Sequence, residues 1–222
     1  MKILVIDVGG TNLKIGMTGR LTPIKVASGP DMTAAQMVAA VRKTTANWDF
    51  DAVTIGYPGP VVKNRPSAEP RNLGGGWRRF DFANAFGKRV RIVNDAAMQA
   101  LGSYRGGSML FLGLGTGLGS ALVVDGELAP LELAHMPYRK GKTYEDYLGK
   151  RGMKRLGLAR WRNHVAAIVE ILRNGLQADE VVLGGGEAKM LETLPPNSRR
   201  VGNDNAILGG LRIWVDSKNR AF

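Results

Sequence analysis

The sequence predicts an α/β protein made of two similar lobes that face one another. Three observations carry this. Short apolar runs of strand length, such as Ile3-Leu4-Val5-Ile6 and Met109-Leu110-Phe111-Leu112, alternate with segments of helical period. A strand, glycine turn and strand at the N-terminus recur later: Ile3 falls on Met109, Gly9 on Gly115 and Ile15 on Ala121, which reads as an internal repeat. Two unrelated hairpins are the simpler alternative. No linker rich in Pro, Ser or charge separates independent domains, and the short stretch 103–107 suits a hinge.

Composition narrows the class. Apolar content is 44%, and no run of about 18 apolar residues exists to cross a membrane. Met1-Lys2 lead directly into a strand pattern without a signal-peptide layout, so a cytoplasmic protein is expected. Cysteine is absent, which excludes disulfides and thiolate metal sites. Lys plus Arg number 31 against 19 Asp plus Glu, a net charge of +12. Such a surface attracts polyanions, namely nucleic acid, acidic lipid or polyphosphate, although ordinary solubility charge gives the same total.

The first strand runs into Asp7-Val8-Gly9-Gly10-Thr11-Asn12, and the chain returns over 13–17. This is a hairpin, unlike the strand-loop-helix of a P-loop or dinucleotide-binding turn. Gly9 and Gly10 let backbone amides point at an anion, and Thr11 adds a hydroxyl. Asp7 can hold a hydrated divalent cation against that anion. A plain glycine hairpin is the alternative. A third strand over 24–27 precedes a helix capped by Thr33 and running to about Trp48. The strand 52–55 enters the stiff bend Gly56-Tyr57-Pro58-Gly59-Pro60. Residues 64–79 carry no periodicity. An Asn and a Trp in such a long loop suit a polyhydroxylated ligand; equally, Trp77 pins the loop down. A short helix over 82–86 follows.

An apolar run over 90–93 then meets Asn94-Asp95, and a helix begins at Ala96. A carboxylate at this corner is held rigidly and can still reach a substrate. The helix amides favour its charged form, which keeps it a proton acceptor. A simple N-cap role for Asp95 is the alternative. The second glycine hairpin, Gly113-Leu114-Gly115-Thr116-Gly117-Leu118-Gly119, offers a second grip on the same phosphate chain. Glu132 and His135 follow it; they share a face if the segment is helical and can converge in a loop. Thr143 caps a short helix over 144–147. Residues 153–176 give the longest helical pattern, broken near Gly157, and bury Trp161, Val165, Ile168, Val169 and Leu172. His164 reads as a solvent-facing or packing residue. The strand 180–183 enters Gly184-Gly185-Gly186 and a helix through Leu191; this turn accepts the flat face or ribose of a nucleotide, or merely close-packs. A last helix is expected over 203–214, with Gly209-Gly210 allowing close approach, and a polar tail over 215–222.

Asp7-Val8-Gly9-Gly10-Thr11, Gly56-Tyr57-Pro58-Gly59, Asn94-Asp95-Ala96, Gly113-Leu114-Gly115-Thr116-Gly117, Glu132 with His135, and Leu183-Gly184-Gly185-Gly186 occur in that order. This pattern resembles the ROK sugar kinases of the actin/hexokinase/Hsp70 ATPase superfamily, from about Lys2 to Trp214. The resemblance implies two RNase H-like lobes with a sugar in the cleft between them. It implies Asp95 as general base, and Asn72, Asn94, Glu132, His135 and Glu145 as binders of sugar hydroxyls. Gly9, Gly10, Thr11, Gly115, Thr116 and Gly117 would cradle phosphates with Lys14 nearby, Gly184, Gly185 and Gly186 would meet a nucleotide, and Asp7 would serve Mg²⁺.

Two departures qualify the likeness. Many members carry a cysteine-rich zinc motif after the His, which this chain lacks, so His135 is expected to act on sugar or structure. The chain is also short for the family. Its Tyr-Pro-Gly and Thr-Gly-x-Gly-Ser segments look most like the polyphosphate glucokinases, which implies phosphoryl transfer from polyphosphate, ATP or both to a hexose, glucose foremost. Arg65, Arg71, Arg78, Arg79, Lys140, Lys142, Lys150 and Arg151 are candidates for a polyphosphate track. The competing readings are a sugar-responsive regulator of the same family and a non-catalytic sugar-binding protein. A first strand starting at Ile3 leaves no room for a helix-turn-helix, which argues against nucleic acid as a partner. Family members are often dimers, which leaves a homodimer open. The expected division is a first lobe over 1–104, joined by the helix 203–214, and a second over 105–202.

Overall fold

The computed structural model describes residues 1–202 and 205–215. In chain order the first half contains β1 (Ile3–Val8), β2 (Asn12–Met17), β3 (Arg20–Ala27), α1 (Ala34–Thr44), β4 (Ala52–Tyr57), the small pair β5 (Val61–Val62) and β6 (Arg65–Pro66), α2 (Phe82–Phe86) and β7 (Arg89–Asn94). The helix α3 (Asp95–Ser103) leads to β8 (Ser108–Leu114), β9 (Leu118–Val124), β10 (Glu127–Leu131), β11 (Pro137–Arg139), β12 (Lys142–Thr143), α4 (Tyr144–Leu148), α5 (Lys150–Leu156), α6 (Leu158–Gly175), β13 (Glu180–Gly184) and β14 (Ser198–Arg200). The helix α7 (Asn205–Arg212) closes the described chain.

Two five-stranded sheets share one plan, β3-β2-β1-β4-β7 and β10-β9-β8-β13-β14. In each, the middle strand pairs antiparallel with its hairpin partner and parallel with the next strand across. The repeat of Ile3 on Met109 is therefore a repeat of topology: β1, β2, β3, β4 and β7 correspond to β8, β9, β10, β13 and β14. This is the α/β architecture of paired RNase H-like lobes.

The central strands read as continuous apolar runs because both of their faces are covered. Leu4, Ile6 and Val8 of β1 join Met37, Val38 and Val41 of α1 on one face. Ile3 and Val5 meet Met98 and Leu101 of α3 and Ala206 and Ile207 of α7 on the other. The second sheet repeats this. Leu110, Leu112 and Leu114 pack with Trp161, Val165 and Ile168 of α6, while Met109 and Phe111 meet Ala96, Ala97 and Ala100 of α3. The helix α3 thus lies between the sheets, with Met98 and Leu101 on one and its alanines on the other. It crosses α7 at backbone contact: a Cβ on Gly102 would strike the Asn205 carbonyl, and one on Gly209 the Met98 carbonyl. Arg212 of α7 then caps α3 by donating from Nη1 to the carbonyls of Leu101 (2.8 Å) and Tyr104 (3.1 Å).

Some local expectations stand and others change. The helix after Thr33 stops at Thr44. The long 153–176 pattern is two helices, broken at Gly157 with φ 77°, and all five of its expected core residues are buried. His164 packs edge-on against Tyr147 and Tyr138. The helix expected through Leu191 is a 3₁₀ turn, Gly186–Met190. Of the expected last helix, residues 203–204 lie outside the described residues, as do 216–222 of the expected tail. Among the described residues no helix is long and apolar enough to cross a membrane.

Candidate active site

The repeated hairpins, the N-terminus of α3 and three loops enclose a cavity of about 640 Å³. Gly9 and Gly10 line it from the first glycine turn, and Gly115, Thr116 and Gly117 from the second. Asn72, Asn94, Asp95, Glu132, His135, Glu145 and Gly185 line it too. Residues scattered from 9 to 185 converge because the repeat puts both turns at the same end of their sheets.

Asn94, not Asp95, caps α3. Its Oδ1 accepts the Ala97 N–H at 3.1 Å, and its Nδ2 donates to the Gly59 carbonyl at 3.2 Å. Asp95 is the first helical residue, and its Oδ1 accepts the Ala96 N–H at 2.8 Å. Its proton affinity departs from the sequence expectation. The carboxylate keeps some surface on the cavity but is enclosed on its other sides. Burial, and then the like charge of Asp7, push its pKa up to about 7. The Ala96 N–H and Lys14 pull it down, and the two do not suffice. The helix amides therefore do not hold this group fully charged at neutral pH.

Asp7 is 4% exposed and stands opposite Lys14 in the β1–β2 register. Lys14 Nζ donates to Asp7 Oδ2 at 2.7 Å. Asp7, Lys14 and Thr11 are not among the cavity's lining residues. Thr11 is exposed beyond the turn, its carbonyl taken by the Ser28 N–H. Among the described residues no group of three or more His, Asp or Glu stands ready to hold a metal. A single carboxylate already paired to Lys14 does not fit a resident metal centre. It fits a cation that keeps its waters and arrives with a phosphate chain.

Glu132 opens a 3₁₀ turn, Leu133–His135. Ser120 fixes that turn: its Oγ donates to the Leu131 carbonyl at 2.9 Å and accepts the Leu133 N–H at 3.2 Å. Glu132 and His135 are both exposed on the cavity. Glu145 sits in α4, whose start is held by a capping box between Thr143 and Asp146. Its Oε2 accepts the Leu118 N–H at 3.1 Å, which ties α4 to the second glycine hairpin.

Trp77 resolves as a pin. Its ring is fully buried beside Tyr57 and Phe82. Nε1 donates to the Gly74 carbonyl at 2.8 Å, and its backbone N–H donates to Glu69 Oε2 at 2.9 Å. Tyr57 helps from the Pro/Gly bend by donating to the Ala68 carbonyl at 2.8 Å, and burial keeps that phenol protonated. The loop so fastened presents Asn72 to the cavity.

The three glycines after β13 have separate situations. A Cβ on Gly184 would lie 2.6 Å from the Phe111 ring. Gly185 has φ 83°, and a Cβ there would strike the Leu114 carbonyl, so the turn is seated on the end of β8. Gly186 faces a second cavity. Two of the three are thus demanded by close packing. Of the eight cations expected to form a track, Arg71 lines the main cavity and the other seven do not. Sequence reasoning missed Gln99, which lines it one helical turn after Asp95; the i, i+4 spacing was the available signal.

No protein-family model matches the chain. A polyphosphate glucokinase of Mycobacterium tuberculosis (strain CDC 1551 / Oshkosh) is 25% identical over 212 residues, covering 86% of this chain and 80% of the relative. A solved inorganic polyphosphate/ATP-glucomannokinase from Arthrobacter sp. strain KM superposes with a TM-score of 0.78 at 24% identity, covering 96% of this chain and 97% of that one. A ROK hexokinase from Thermus thermophilus gives a TM-score of 0.71 at 21% identity, with 96% and 97% covered. The overlaid architectures are two-lobed, and the likenesses extend over nearly all of this chain. Fold and sequence agree in one conclusion: this chain resembles the ROK sugar kinases and, among them, the polyphosphate glucokinases.

Proposed function

We propose that this protein transfers the terminal phosphoryl group of polyphosphate or ATP to a hydroxyl of a hexose, glucose foremost, with Asp95 as general base. One observation carries the reading: a carboxylate with pKa about 7 shares a single cavity with two glycine turns of repeated topology. A base is most useful when its pKa is near the working pH. Asp95 takes the proton of the attacking hydroxyl as the new O–P bond forms and the donor's bridging P–O bond breaks. The leaving phosphate chain carries away the electron pair.

The remaining assignments follow the cavity walls. Glu132, His135, Glu145 and Asn72 orient sugar hydroxyls. Asn94 keeps one N–H and one lone pair for the same purpose after its two structural bonds. Amides at Gly9, Gly10, Gly115, Thr116 and Gly117 face the phosphates, the Thr11 hydroxyl joins them at the first turn, and Lys14 lies nearby. Gly184, Gly185 and Gly186 form the far end of the donor path. Asp7 would hold the hydrated Mg²⁺ that accompanies the donor; when bound, that ion offsets phosphate charge. The two halves are assigned as 1–104 and 105–202, with α7 belonging to the first.

The test is a coupled assay over a small panel of hexoses, each with ATP and with long-chain polyphosphate. Asp95→Asn should lower turnover by orders of magnitude and leave glucose affinity nearly unchanged. Unaltered turnover in that variant removes Asp95 as the base. Turnover with ATP alone removes polyphosphate as a donor. Polyphosphate-driven turnover should weaken steeply with added salt.

A further inference from the structure

The second cavity, of about 350 Å³, opens beyond Gly185, which lines both cavities. The two cavities therefore adjoin across the turn that follows β13. The walls of the second are Gly186, Ala188, Val201 and Gly202, with Lys189 and Arg200 at the rim. Among the described residues no aromatic ring or acidic side chain lines it. A purine base seeks a flat apolar slot to stack in, and these walls offer small side chains and two cations instead.

The two cations are available. Lys189 and Arg200 are exposed, and among the described residues neither is ion-paired. Their neighbours differ. Arg199 is committed to Glu180 at 2.8 Å, and Lys150 shares Glu187 at 3.7 Å. Arg200 Nη1 donates to the Leu191 carbonyl at 3.2 Å, which steadies the guanidinium and leaves its other N–H groups free to meet phosphate oxygens.

We infer that this cavity is a binding site for the distal phosphates of an inorganic polyphosphate chain, gripped by Lys189 and Arg200. The proposal rests on the phosphoryl-transfer reading above and adds a donor subsite outside the reacting centre. Long polyphosphate reaches both cavities, whereas tripolyphosphate is satisfied by the first. The chain length of the donor is thus read here, at a distance from Asp95.

The experiment compares wild type, Lys189→Glu/Arg200→Glu, and Arg42→Glu/Lys43→Glu. The last changes net charge equally on the exposed face of α1. KM is measured for long-chain polyphosphate, tripolyphosphate and ATP. Long-chain polyphosphate binding without sugar is measured across a salt series. The cavity variant should raise KM for the long chain by about tenfold or more, and shift tripolyphosphate and ATP by less than about twofold. Its binding should also depend less steeply on salt, by roughly one to one and a half in the log–log slope. A KM for the long chain equal to that of the α1 control overturns the proposal. So does an equal rise for ATP, which would make the cavity a nucleotide site. If no donor supports turnover in wild type, the phosphoryl-transfer reading fails, and the binding series still decides the cavity. Lys189→Ala supplies the same comparison should the double variant not fold.

Discussion

Lys14 Nζ donates to Asp7 Oδ2 at 2.7 Å, and the two partners act on the proton of Asp95 in opposite directions. Asp7 raises that pKa and Lys14 lowers it. Asp7 is buried and Lys14 half-buried, so salt screens their charges only in part.

The pH profile follows from this arrangement. Activity should fall on the acid side with an apparent pKa near 7 in kcat/KM, the value reached by Asp95. Asp7→Asn removes a like charge and should move the limb to lower pH. Lys14→Met removes a cation and should move it higher. Residual activity in each variant, followed from pH 5 to 9, gives the shift; a limb that stays in place in both would exclude Asp95 as the titrating group.

Stability should show the same proton. The folded-state pKa of Asp95 is raised above its ordinary value of 3.8. Between about pH 4 and 7 the folded state therefore binds more protons than the unfolded one, and stability falls as pH rises through that window. Asp95→Asn should lose this dependence and be the more stable protein above pH 7, by on the order of a few kcal/mol. Urea midpoints at pH 5 and pH 8 for both proteins measure it.

The α3–α7 crossing should tolerate no side chain. Gly102→Ala and Gly209→Ala each drive a methyl into a backbone carbonyl. Each should cost about 3 kcal/mol or more, at the upper end of overpacking penalties. Denaturant midpoints with unchanged m-values would report it, and a loss below 1 kcal/mol would mean the helices slide apart freely.

Trp77→Ala should act at a distance from the sugar. It empties a buried site at a cost of roughly 3–5 kcal/mol and unfastens the loop that carries Asn72. The KM for hexose should rise more than kcat falls. Trp77→Phe keeps most of the packing, loses the bond to Gly74, and should fall between.

Glu145 separates binding from scaffolding. Glu145→Gln keeps an acceptor for the Leu118 N–H, and Glu145→Ala does not. Both should weaken hexose binding if the carboxylate meets a hydroxyl. The alanine variant should also lose about 1–2 kcal/mol of stability from the unpaired N–H. Equal hexose affinity in wild type and Glu145→Gln would leave Glu145 with the hairpin bond alone.

The sheets were legible because their central strands are buried on both faces, so Ile3-Leu4-Val5-Ile6 and Met109-Leu110-Phe111-Leu112 stand out without regard to neighbours. The glycine turns were legible through their spacing. What escaped depends on residues brought in from elsewhere. The capping atom belongs to Asn94 because Gly59 and Ala97 orient its amide. The direction of the Asp95 shift depends on its enclosure and on Asp7. The strand Ser198–Arg200 has no apolar pattern; it forms because β13 offers a free edge. Lys189 and Arg200 are ordinary surface cations in sequence and become neighbours only through the turn at Gly186–Met190.

The helix α3 is gripped by both sheets, and Asp95 is its first residue. The position of its carboxylate relative to each glycine turn is therefore set by packing on both sheets at once.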